Sequence, residues 1–154
     1  MASFAIAAIY IYIHLGPDVP VRAPNVTFQT LNGKTLELED ISGPLLITFW
    51  ATDCVICHKK LPDMIALYDE LTPRDVTIIG VAMPHDPPNK VVNYVKAYEI
   101  PYSIATDTDE RITSAFGDIQ GTPTNILIDN KGWVVSRMTG SVDMAHLKQR
   151  ILSL

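Results

Sequence analysis

Only two cysteines occur in the 154 residues, Cys54 and Cys57. That is too few for a small disulfide-stapled scaffold or a four-thiolate zinc site, and their placement within four residues points to chemistry instead. Charge is also sparse: charged residues make up 19%, the formal net charge is −5, and no cluster of Lys and Arg is present. Nothing in the chain could neutralise a run of phosphates, which excludes nucleic acid as the expected partner. No apolar run reaches the roughly 20 residues that a spanning helix needs. The longest, Phe4 to Ile13, is closed by His14 and Gly16-Pro17. Low complexity and internal repeats are absent. What is present is 47% hydrophobic residues, enough for a packed core. A chain of this length makes one domain, burying roughly two-thirds of the surface its unfolded form exposes.

The apolar run has no basic residue ahead of it and no clear small-residue cleavage point behind it, so it does not read as a secretory signal. Residues 1–23 are read as a shortened signal anchor that would tether the chain to a membrane, with a packed N-terminal strand or helix as the alternative. Gly16 to Pro24 holds three prolines and suits an extended linker. The folded domain is expected over residues 24–154. Val26, Phe28 and Thr30 alternate on one face, and Asn32-Gly33 followed by Thr35 to Leu38 signals a hairpin. Leu45 to Trp50 is a continuous apolar run, the mark of a central strand buried on both faces. Residues 54–71 place Leu61, Met64, Ile65, Tyr68 and Leu71 at helical spacing, and Pro62 is expected to kink that helix.

Val76 to Ala82 reads as a second buried strand. Asp86-Pro87-Pro88 then reads as a cap and first turn of a helix with Val91, Val92, Val95 and Tyr98 inward. A short strand from Tyr102 to Ala105 and a short helix from Asp109 to Phe116, ended by Gly117, follow. Asn125 to Ile128 and Trp133 to Met138 make a closing hairpin, and a last helix from about Val142 to Leu152 turns Met144, Leu147 and Ile151 inward. Alternating β and α units between two hairpins predict an α/β fold, a mixed sheet flanked by helices on both faces.

The Cys-x-x-Cys pair stands where the buried strand hands over to the long helix. A helix N-terminus offers unpaired N–H groups and about half a positive charge, which stabilise a thiolate. Cys54 is therefore the expected nucleophile, and Cys57, one turn in, the thiol that resolves a mixed disulfide. Two structural cysteines or a static disulfide are the bland alternative. Farther along, Gly121-Thr122-Pro123-Thr124 precedes a strand. Proline there can be mere punctuation, but a cis bond at Thr122-Pro123 would leave the Thr122 backbone free to pair with an incoming peptide.

Phe49-Trp50-Ala51-Thr52-x-Cys-x-x-Cys, Pro62 five residues beyond the second cysteine, and Gly-Thr-Pro-Thr before Ile126-Leu127-Ile128-Asp129 together resemble the thioredoxin-like TlpA/ResA/DsbE family. The likeness covers residues 24–154. It implies a thioredoxin-like fold and a periplasmic or otherwise extracytoplasmic, membrane-tethered thiol reductase. Implied partners are protein thiols and disulfides, with apocytochrome c or copper-site thiols as clients and a membrane or periplasmic electron donor. No bound cofactor is expected beyond the redox-active Cys54–Cys57 pair, and a monomer is expected. Two positions depart from the family: Asp53 stands where a second Trp is usual, and Lys60 where a Glu is usual. A carboxylate relay to the cysteines therefore cannot be carried over. Asp53 is expected to oppose ionisation of Cys54, and Lys60, if it points inward, to favour that of Cys57; an exposed Lys60 is the alternative.

Two competing chemistries use the same letters. Cys54-Val55-Ile56-Cys57-His58 also matches the c-type haem attachment motif, although it follows a buried strand here. Two thiolates with His58 or His85 could bind Cu(I). His58 is otherwise expected on a solvated helix face, and His85 in a solvated loop. A peroxidase is disfavoured, because the Pro-x-x-x-Thr-x-x-Cys pattern is missing.

Overall fold

Leu45–Trp50 forms a strand buried at every position, and its neighbours are arranged around it. The computed structural model describes residues 21–117 and 119–154. The strands in chain order are β1 (Val21–Arg22), β2 (Thr27–Gln29), β3 (Thr35–Glu37), β4 (Leu45–Trp50), β5 (Thr77–Ala82), β6 (Ser103–Thr106), β7 (Thr124–Ile128) and β8 (Trp133–Thr139). The helices are α1 (Val55–Leu71), α2 (Pro88–Ala97), α3 (Arg111–Ala115) and α4 (Met144–Leu152). Six strands make one sheet in the order β1-β8-β7-β4-β5-β6. Strands β4, β5 and β6 run parallel, while β7 is antiparallel to both β4 and β8. The sheet is thus mixed, as the alternation of apolar runs predicts.

Because successive side chains of a strand point to opposite faces, β4 feeds two cores. Leu46 and Trp50 pack with Leu61, Met64 and Leu67 of α1, Val91 of α2 and Leu147 of α4. Leu45, Ile47 and Phe49 pack on the other face with Phe28 of the hairpin and Ile112 of α3. The β2–β3 hairpin turns at Asn32-Gly33, where Gly33 takes φ +79°. It lies against the sheet through a bridge from Thr30 to Ala105. Gly43 is required by space as well as by its φ of +77°, since a Cβ there would sit 2.1 Å from the Asp75 carbonyl oxygen.

Three expectations need amendment. The sheet starts earlier than residue 24: Val21 and Arg22 pair with β8, so the end of the proline-rich linker is a strand. The apolar run Phe4 to Ile13 lies outside the described residues. Helix α1 runs as one element through Pro62, which is exposed. Asp86 does not cap α2; Pro87 occupies that position with no side-chain cap, and Pro88 opens the helix. Along α2, Val91 is the buried residue, while Tyr98 near its end is 51% exposed. Among the described residues no helix is long and apolar enough to cross a membrane.

Candidate functional site

The buried strand β4 ends at Trp50, and the chain turns through Ala51-Thr52-Asp53 before α1 begins. The Cys54 N–H closes this turn on the Ala51 carbonyl at 3.1 Å. Cys54 is the N-cap of α1, and its Sγ accepts the Cys57 N–H at 3.1 Å. The two cysteines form a disulfide with Cα atoms 5.2 Å apart. One of the unpaired donors of the helix end is therefore already aimed at the Cys54 sulfur, the group that would carry charge after reduction. Val55 and Ile56, between the cysteines, are exposed.

The turn before Cys54 is held from two directions. Asp86, 4% exposed in the loop after β5, accepts the Thr52 N–H at 2.5 Å and the Thr52 hydroxyl at 2.7 Å. His58 is not on a solvated face: its Nε2 lies 2.7 Å from the Thr52 carbonyl, and its Nδ1 lies 3.0 Å from the Tyr94 hydroxyl. Tyr94 in turn packs on Trp50, with ring centroids 5.2 Å apart, and on Tyr98 at 4.4 Å. Burial, with Tyr98 adding to it, raises the Tyr94 pKa above its ordinary value. The sequence reading takes Asp86 for a helix cap and passes over Tyr94. Their contacts span 34 and 36 residues, and only the helical spacing of Tyr94 from Val91 hinted that its ring turns inward.

The Thr122–Pro123 bond is cis. Pro123 and Cys57 line one groove together with Lys60, Met64, Tyr94 and Val142. Lys60 is half-buried at its rim and pairs with Asp63 at 3.2 Å. Asp53 turns outward, its side chain 79% exposed and 3.7 Å from His85 Nε2. Both nitrogens of His58 are engaged, His85 faces Asp53, and among the described residues no three His, Cys, Asp or Glu side chains gather as a metal-holding group.

Residues 19–137 match the model of the AhpC/TSA family. The chain belongs to that family. Among curated relatives, it is 33% identical to the thiol-disulfide oxidoreductase ResA of Bacillus subtilis (strain 168) over 121 residues, 78% of this chain and 66% of the relative. It is 33% identical over 133 residues to ResA of Bacillus thuringiensis subsp. konkukian, covering 86% of this chain and 76% of that one. Of solved structures, a putative thioredoxin from Neisseria meningitidis superposes with a TM-score of 0.79 at 33% identity, covering 85% of this chain and 87% of the other. A thiol:disulfide interchange protein from Chlorobium tepidum does so with a TM-score of 0.77 at 29% identity, covering 87% and 94%. The fold of this AhpC/TSA-family protein is thioredoxin-like, as the sequence resemblance implies. Family and Cys54–Cys57 pair together make it a thiol-disulfide oxidoreductase.

Proposed function

We propose that the protein reduces disulfides in protein partners outside the cytoplasm, held at a membrane by its N-terminal segment and recharged by a membrane or periplasmic electron donor. Oxidised apocytochrome c and the cysteine pairs of copper sites are the clients that the ResA-like sequence favours. The observation that carries this reading is the Cys54–Cys57 disulfide at the N-terminus of α1, beside a groove that Pro123 and Cys57 share. Once reduced, the Cys54 thiolate attacks one sulfur of the client disulfide, forming a mixed disulfide and releasing the other client sulfur as a thiolate. Cys57, having lost its proton, then attacks Sγ of Cys54, restores the internal disulfide and releases the second client thiolate. Two electrons pass to the client, and the two thiolates released take up protons. The cysteine pair is itself the electron carrier in this scheme, so no bound cofactor is called for. Thr122, next to Pro123 in the groove, supplies backbone groups for a client strand, and the exposed Val55 and Ile56 supply apolar contact.

The test mixes pre-reduced protein with an oxidised Cys-x-x-Cys-His peptide, or with an oxidised copper-site peptide, and counts thiols on each partner by alkylation and mass. The reading expects two new thiols on a peptide for each protein disulfide formed. Absence of exchange with both, or an equilibrium that favours peptide disulfide and reduced protein when oxidised protein is mixed with reduced peptide, would refute it.

A further inference from the structure

Every polar group of Thr52 is taken by a side chain from another element. Asp86 accepts its N–H and hydroxyl, and His58 meets its carbonyl. A carbonyl only accepts, so His58 Nε2 must carry the hydrogen of that bond. In the neutral ring, Nδ1 is then a bare acceptor, and the Tyr94 hydroxyl, 3.0 Å away, must donate to it. The raised Tyr94 pKa keeps that donor protonated. His58 also grips the nucleophile's other side, since its backbone N–H donates to the Cys54 carbonyl at 3.1 Å. One residue thus brackets the Asp53-Cys54 step, with its ring on the carbonyl before it and its backbone on the carbonyl after it.

We propose that His58 is a positioning residue of the thiol site: with Tyr94 on Nδ1 and Thr52 on Nε2, it holds the Thr52–Cys54 turn so that Cys54 Sγ stays on the Cys57 N–H. The inference rests on the reading of Cys54 as the attacking thiol. It assigns His58 a mechanical task in place of a metal-ligating or charge-donating one. Without the grip on Thr52, the turn loosens, the sulfur leaves its donor at 3.1 Å, and the thiolate loses stabilisation.

Two amides separate the two ring contacts. In His58→Gln the side-chain NH2 reaches the place of Nε2 and can donate to Thr52. In His58→Asn the shorter amide ends near the place of Nδ1, where its oxygen can accept from Tyr94 but its NH2 cannot reach Thr52. Cys54 reactivity is read in the full-length, pre-reduced proteins as the pH dependence of thiolate absorbance and as the rate of attack on oxidised glutathione, with circular dichroism to confirm folding. His58→Asn is expected to raise the Cys54 pKa and slow attack at neutral pH about fivefold, which corresponds to about 1 kcal/mol at 1.4 kcal/mol per tenfold. His58→Gln is expected to stay within about twofold of wild type, well inside the effect of one hydrogen bond. Equal changes in both variants, or none in either, would overturn the role of His58. Nitrogen NMR of the wild-type ring checks the same geometry without mutation. The Nε2–H tautomer supports it, and an Nδ1–H tautomer overturns it. A wild-type protein whose Cys54 attacks no disulfide would instead overturn the underlying reading of that thiol.

Discussion

Replacing Asp86 by Ala removes the buried side chain that accepts both Thr52 donors and so ties the loop after β5 to the turn before Cys54. Two bonds are lost, the Thr52 N–H at 2.5 Å and the Thr52 hydroxyl at 2.7 Å. Hydrogen bonds to a charged acceptor contribute roughly 1.5–3 kcal/mol each. Part of that sum is offset in the variant, because the desolvation cost of a carboxylate in this buried place disappears with it. The net expected loss is about 2–4 kcal/mol, a fall in melting temperature of roughly 6–15 °C for a domain of this size. Thr52→Val removes only the hydroxyl bond and leaves the N–H in place, so it should cost about 1–1.5 kcal/mol. The double variant should fall short of the summed single losses by about 1–1.5 kcal/mol, since both remove the same hydroxyl bond. Urea unfolding of the oxidised proteins supplies all three numbers, with unchanged slopes as the check on two-state behaviour. Losses within about 0.5 kcal/mol of zero for Asp86→Ala, or strict additivity in the double variant, would refute the clamp.

Cys57→Ser should accumulate partners as mixed disulfides on Cys54, whereas Cys54→Ser should accumulate few; non-reducing gels of the two variants, with equal trapping as the contrary result, check the order of attack. Asp53→Asn should lower the Cys54 pKa by no more than about half a unit, because an outward, solvent-screened charge is worth under about 1 kcal/mol; thiolate absorbance against pH measures it, and a shift of a full unit would return Asp53 to the mechanism. Asp143 caps α4 by accepting the Ala145 and His146 N–H groups at 2.9 and 3.0 Å, and these bonds, His146 first, hold its pKa below the ordinary 3.8. A lowered folded-state pKa stabilises the fold above the ordinary carboxylate range and loses that contribution as pH falls through the folded value; the advantage of wild type over Asp143→Asn in urea at neutral pH should therefore vanish in acid, and an advantage unchanged by pH would contradict it.

Much of this was legible because it is local. Leu45 to Trp50 could only be a central strand, and the Asn32-Gly33 pair marked its hairpin within one residue. The buried run before the Cys-x-x-Cys pair and the helical spacing after it mark both sulfurs as lying at the start of α1. Longer-range partnerships carried no such mark. Asp86 next to two prolines has the local chemistry of a helix cap, yet its carboxylate is drawn 34 residues back to Thr52, where it satisfies two donors instead of one helix end. His58 follows the second cysteine on a helix and reads as solvated until α2 lays Tyr94 beside it. Tyr98 fits the apolar face of α2 by period, but it stands at the C-terminal end, beyond the cover of the core.

The central claim is that Cys54 is the attacking thiol because the N-terminus of α1 stabilises its thiolate. Fully reduced protein treated with less than one equivalent of iodoacetamide across a pH series, with the label located by peptide mass spectrometry, tests this most directly. The account predicts that Cys54 carries the label and that its alkylation rate rises with a midpoint below the free-thiol value of about 8.5. Label on Cys57, or a Cys54 midpoint at or above about 8.5, would contradict it.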